Sequence, residues 1–196
     1  KLEAGFYLIF ENSNLLKKQY WNTLDHITFN QKSYSEQVDE WKFLFLDSIK
    51  KRLRSDVPLG STLSGGLDSS SIISSISYLL KRNQNEDLIN QRIELFNSSF
   101  PGSFNDEYNS AKELASHLSL PLNKIIFNQD YAPFGSLEDV IAQVEDPYLT
   151  LPMPMLNTYR CISEKGIKVT LDGHGSDELL CGCLLYTSPS PRDKTV

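Results

Sequence analysis

The eight residues Leu63-Ser64-Gly65-Gly66-Leu67-Asp68-Ser69-Ser70 constrain this chain more than any other stretch. Before them, residues 57–63 form a short apolar run with a proline at its edge, the pattern of a buried strand. After them, Ile72, Ile73, Ile76, Leu79 and Leu80 recur at helical spacing within residues 69–82, with Asp68 or Ser69 at the cap. Two glycines are therefore expected in a tight strand-to-helix turn. A helix N-terminus presents unpaired N–H groups and the positive end of the helix dipole, so such a turn suits phosphate. Gly65 and Gly66 let the backbone come close to an anion, and Ser64, Ser69 and Ser70 add hydroxyl donors. Asp68 would repel phosphate unless it holds Mg²⁺ that bridges to it. A serine-rich cap on an ordinary helix is the alternative, and the complete string in its strand–turn–helix setting favours a nucleotide site. Neither the Gly-Lys-Ser/Thr of a Walker loop nor a Gly-x-Gly-x-x-Gly fingerprint is present.

A second glycine-bearing string, Asp172-Gly173-His174-Gly175-Ser176-Asp177-Glu178, follows an apolar stretch at residues 167–171 and opens another helix. Between the two strings, residues 93–100 and 122–127 read as strands. Residues 106–118, residues 136–144 and the stretch running to about Lys165 read as helices, the last stopped by Gly166. Strands alternating with helices predict an α/β fold with a doubly wound parallel sheet. Ligands of such sheets bind beyond the carboxyl ends of the strands, where both glycine strings fall. Asp177 is then the candidate second Mg²⁺ ligand opposite Asp68, with helix capping by Asp177 and Glu178 as the alternative. Asp106 and Glu107 suit a helix start as caps, with a functional role as the alternative. Residues 35–54 predict a helix whose stripe of Val38, Trp41, Phe45, Leu46, Ile49 and Leu53 enters a core. Residues 1 to about 22 read as one strand and a connector ending in Tyr20-Trp21.

The 196 residues suffice for one domain with a real core. A net charge of −6 leaves no basic footprint for nucleic acid. No apolar run approaches the ~20 residues of a membrane span. Three cysteines without a paired pattern point to a reducing compartment, so a cytoplasmic location is expected. The chain opens on a strand already under way, and a preceding domain is expected. The Ser/Pro-rich residues 183–196, in one back-translation, resemble the transposase adapter of sequencing libraries. They are expected to be an artefact tail and to lie outside the fold.

The string from Ser64 to Ser70 resembles the PP-loop of the N-type ATP pyrophosphatases. With Arg54-Ser55-Asp56-Val57-Pro58 and the string from Asp172 to Leu179, residues 1–182 resemble the synthetase domain of glutamine-dependent asparagine synthetases. The resemblance implies an adenine nucleotide alpha hydrolase-like sheet over residues 35–182, incomplete at its C-terminal end. It implies ATP at Leu63, Ser64, Gly65, Gly66, Asp68, Ser69, Ser70, Ser98, Asp172 and Gly173, and Mg²⁺ at Asp68 and Asp177. The implied reaction joins an acid, aspartate in the family, to ammonia through an acyl-adenylate, releasing AMP and pyrophosphate. The ammonia would come from glutamine in a missing N-terminal glutaminase domain, to which residues 1–34 would be the connector. Two positions depart from the family. Asp172 stands where Ser is common, and His174 stands where Glu is usual. His174 could act as a base or simply hydrogen-bond. The departure leaves open another amide-forming adenylase, of the β-lactam synthetase or lasso-cyclase type, and a non-catalytic ATP-binding fragment.

Overall fold

The structure, a computed structural model, describes residues 2–29, 31–82, 93–127, 137–145, 152–180 and 182–183. The expectation for the tail falls almost wholly outside these. The chain divides into two units, Lys1–Lys42 and Phe43–Val196, with the division inside a helix.

The first unit contains a hairpin where one strand and a connector were expected. Strand β1 (Phe6–Glu11) pairs antiparallel with β2 (Asn14–Gln19), from Phe6↔Gln19 to Glu11↔Asn14. The turn is the two residues Asn12 and Ser13, with φ of 49° and 63°. Positive φ at both central residues matches the twist of the flanking strands. Without the glycine that usually marks such a turn, the hairpin was hidden. Helix α1 (Tyr34–Arg52) starts one residue before the expected position. A reciprocal cap explains this. The Ser33 N–H and hydroxyl donate to Glu36 Oε2 at 2.8 and 2.7 Å, and the Glu36 N–H returns to Ser33 Oγ at 3.4 Å.

The second unit is built on a four-stranded parallel sheet in the order β5-β4-β3-β6. Its strands are β3 (Leu59–Thr62), β4 (Ile93–Ser99), β5 (Leu122–Ile126) and β6 (Val169–Thr170). Helices α2 (Leu67–Arg82), α3 (Tyr108–Leu118), α4 (Leu137–Val144), α5 (Pro152–Glu164) and the single turn α6 (Ser176–Leu179) fall between and after them. Successive residues of a strand point to opposite faces, so Leu95 and Phe96 of β4 enter different cores. On one face, Leu59, Leu63, Ile93 and Leu95 meet Ile72, Ile73 and Ile76 of α2, Ala111 and Ala115 of α3, and Ile49 and Leu53. On the other, Phe96 and Ile125 meet Ile162 of α5 and Ile167. Each full burial of such a side chain contributes about 1.5–3 kcal/mol. Of the stripe expected along α1, Ile49 and Leu53 are buried, whereas Val38 and Trp41 are exposed.

The chain runs outward from β3 through β4 to β5, then returns to lay β6 on the other side of β3. The reversal opens a crevice beyond the carboxyl ends of β3 and β6. Strand β6 is shorter than the five residues expected. Ile167 is buried in the core, and the ladder holds only Leu59↔Val169 and Gly60↔Thr170.

The N-cap position of α3 is Glu107, whose side chain makes no capping bond and lines a cleft instead, and the residue before it, Asp106, supplies the acceptor. Its carboxylate accepts the Tyr108 N–H of α3 at 3.2 Å and the buried Ser99 hydroxyl of β4 at 2.9 Å. Burial pushes this carboxyl up, but the Ser99 and backbone donors and nearby Lys124 outweigh it and hold it below the ordinary aspartate range. A group whose folded value is depressed contributes stability that is fully present above the unfolded value and is lost as pH falls through the folded one. Urea unfolding of the wild type and Asp106→Asn across this acid range should show the wild-type advantage shrinking as pH falls. An advantage independent of pH would remove the charge from the cap.

Candidate functional site

The two glycine strings leave adjacent strands, β3 and β6, and face a cleft of about 540 Å³. Leu63, Ser64, Asp68 and Ser69 line it from the first string, and Gly173, His174 and Asp177 from the second. Ser98 of β4 lines it as well. Gly65, Gly66, Ser70 and Asp172, also expected at the site, are not among the lining residues.

The first turn is held largely by itself. Ser64 Oγ and Ser69 Oγ are 3.0 Å apart, and the Gly66 N–H donates to Ser64 Oγ at 3.1 Å. The Asn97 side-chain amide donates to the Leu63 carbonyl at 2.8 Å, fastening the strand end to β4. Gly65 has φ of +95°, and a Cβ there would lie 2.7 Å from Ser110 Cβ and 2.9 Å from the Ala111 nitrogen. The close approach that requires glycine is thus to α3, where an approach to an anion was expected. Helix α2 begins at Leu67, so its first-turn N–H groups lie directly after the glycines.

The second turn packs on the first. A Cβ on Gly173 would lie 3.0 Å from the Ser69 nitrogen and 3.3 Å from Asp68 Cβ. Asp172 spends its carboxylate within the protein. Oδ1 accepts the Thr62 N–H at 2.7 Å and the Thr62 hydroxyl at 2.9 Å. Oδ2 accepts the Thr170 hydroxyl at 2.8 Å and the Tyr159 hydroxyl at 3.2 Å. Burial pushes the Tyr159 hydroxyl up, and the adjacent Asp172 charge and hydrogen bond push it further. His174 and Asp177 are exposed. The Asp177 carbonyl accepts the Gly182 and Cys183 N–H groups at 2.8 and 3.0 Å.

Asp68, Glu107, Asp177 and Glu178 give the cleft four carboxylates, and no Lys or Arg is among its described lining residues. Among the described residues no group of three or more His, Cys, Asp or Glu could hold a metal alone. Two carboxylates completed by phosphate oxygens are nevertheless a donor set that Mg²⁺ takes, so Asp68 and Asp177 fit the ion together with a phosphorylated substrate.

Sequence reasoning missed Thr158, Tyr159 and Asn97, all of which line the cleft. The Thr158 hydroxyl lies 2.5 Å from Ser98 Oγ. Tyr159 stands three residues before the buried Ile162, and a phenol on an inward helix face needs a partner, which was the available signal. Asn97 is only 2% exposed, and among the described residues its Oδ1 has no partner.

A family model described as asparagine synthase matches residues 40–196. Asparagine synthetase B [glutamine-hydrolyzing] of Escherichia coli (strain K12) is 36% identical over 199 residues, covering 97% of this chain and 35% of that protein. Asparagine synthetase [glutamine-hydrolyzing] of Sandersonia aurantiaca is 35% identical over 146 residues, covering 72% of this chain and 27% of that protein. The chain thus spans about a third or less of the length of these relatives. An NH3-dependent NAD synthetase from Campylobacter jejuni aligns in structure with a TM-score of 0.41 and 17% identity, covering 70% of this chain and 56% of that one.

Gly65→Ala would both strain the positive φ and drive a methyl group into α3. It should destabilise the chain by about 1–3 kcal/mol from the backbone conformation alone, with the α3 contact adding to that. Thermal denaturation measures the loss, and an unchanged melting temperature would contradict the packing described.

Proposed function

This chain belongs to the asparagine synthase family, and from that premise we propose that its cleft binds ATP and supports amide formation through an acyl-adenylate. The observation that carries the proposal is the meeting of two glycine turns at one switch point, with Asp68 and Asp177 on the same cleft. The α2 N-terminus, after Gly65 and Gly66, receives phosphate through its backbone N–H groups, with Ser64, Ser69 and Ser70 beside it. Leu63, Ser98 and Gly173 border the adenine and ribose. Asp68 and Asp177 would hold Mg²⁺, which would supply positive charge against the triphosphate. The substrate carboxylate attacks the α-phosphorus of ATP, and pyrophosphate leaves. His174 takes a proton from the incoming amine or orients it by a hydrogen bond.

The acid is aspartate and the amine is ammonia in this proposal. The ammonia is supplied by a glutaminase domain of a longer, cytoplasmic protein. No helix among the described residues is long and apolar enough to cross a membrane. His174 in place of the usual Glu favours a second reading, in which another acid or amine is joined by the same adenylation chemistry.

ATP–pyrophosphate exchange tests this. The complete protein should exchange in the presence of aspartate. Asp68→Ala should abolish exchange, a loss exceeding the ~100-fold that removal of a mere supporting partner causes at a metal site. Retained exchange would refute the metal assignment. Exchange driven only by a different acid would select the second reading, and ATP binding without exchange under any acid would leave a nucleotide-binding module.

A further inference from the structure

We propose that Asp172 is a positioning residue. Its carboxylate locks the ends of β3 and β6 and the Tyr159 side of α5 into the arrangement that the nucleotide cleft requires. The proposal rests on the nucleotide reading of that cleft.

Aspartate in a glycine-rich turn beside a phosphate site invites assignment as a ligand. The geometry argues otherwise. Each carboxylate oxygen already accepts two hydrogen bonds, Oδ1 from the Thr62 N–H and hydroxyl and Oδ2 from the Thr170 and Tyr159 hydroxyls. Two acceptances per oxygen use the lone pairs that a carboxylate offers. The donors come from three elements, the ends of β3 and β6 and the middle of α5. Hydrogen bonds to an ionised acceptor are roughly twice as strong as neutral ones, so this junction is firm for its size.

Its location gives it leverage. The β3–β6 ladder stops after two residue pairs. The Thr62 N–H held by Asp172 lies one residue before Leu63 enters the phosphate turn. The next residue after Asp172 is Gly173, which packs on the backbone of Asp68 and Ser69. Thr62 and Tyr159 also line the cleft themselves. One carboxylate thus continues the seam beyond the ladder and reaches both turns and one wall. Removing a partner that orients a binding group at a metal site typically costs ~10–100-fold in affinity or activity, although that partner does not touch the metal itself.

Calorimetry of Mg·ATP binding to the full chain, with thermal denaturation of each variant, tests the proposal. Asp172→Leu keeps the branched shape and removes the acceptors, and its affinity should fall ~10- to 100-fold at temperatures well below its melting point. Asp172→Asn keeps an acceptor for Thr62 and offers an amide that the two facing hydroxyls can accept, so it should restore most of the affinity. Tyr159→Phe should weaken binding by ~10-fold when measured well below its own melting temperature. Combined with Asp172→Leu, it should add nothing, because the contact is already gone. Wild-type affinity in Asp172→Leu, or equal losses in the Leu and Asn variants, would overturn the positioning role while leaving the nucleotide reading intact. If Asp172→Leu fails to fold, Tyr159→Phe and Thr62→Val decide, and wild-type affinity in both would overturn it. A wild-type chain that binds no Mg·ATP would overturn the nucleotide reading and this proposal with it.

Discussion

The seam between β3 and β6 is two residue pairs long, yet both glycine turns hang from it. Short ladders are weak, and this one is extended by other means. The Leu171 N–H donates to the Gly60 carbonyl at 3.0 Å, and the Ser61 hydroxyl donates to the Leu171 carbonyl at 2.6 Å. Asp172 then takes over from the backbone at Thr62. Gly60 serves the same seam through packing. A Cβ there would lie 3.1 Å from Ile167 and 3.3 Å from the Phe96 ring, so its absence lets both apolar residues close beneath the strand. Hydrophobic burial places the helices on the sheet. A handful of directional bonds places the turns.

The α/β alternation and both strand-end turns were legible because periodicity and glycine are local signals. Residues 93–99 carry enough apolar and β-prone side chains to declare a strand without help. Local signals also failed in instructive places. The Asn12-Ser13 turn takes two positive φ values without glycine, so the hairpin was read as one strand. The cap of α1 lay in Ser33 and Glu36, a reciprocal pair that an eye on apolar spacing passes over.

The candidate site was legible in part for the same reason. Asp68, Gly173, His174 and Asp177 belong to strings that announce themselves, and all four line the cleft. The task of Asp172 depends on Thr62, 110 residues away, and no pattern in one sequence reports a bond of that span. Gly65 was expected to make room for an anion, whereas the neighbour that needs the room is helix α3. Tyr159 belongs to the site because the crossover to β6 carries α5 there, a consequence of topology rather than of the residues around it.

Gly173 packs against the start of α2 at the backbone of Asp68 and Ser69 and the Cβ of Asp68. Such a contact depends little on which side chains surround it. The α5 wall contributes side chains instead, Met155, Thr158 and Tyr159 among them. Of these, Tyr159 is tied to the second turn through Asp172 and Thr158 to Ser98 of β4, whereas no hydrogen bond described above ties Met155 to either turn. One side of the cleft is thereby shaped by backbone and the other by side chains, so a larger or smaller residue at Met155 would alter the volume open to a ligand and leave the backbone contact between the turns in place.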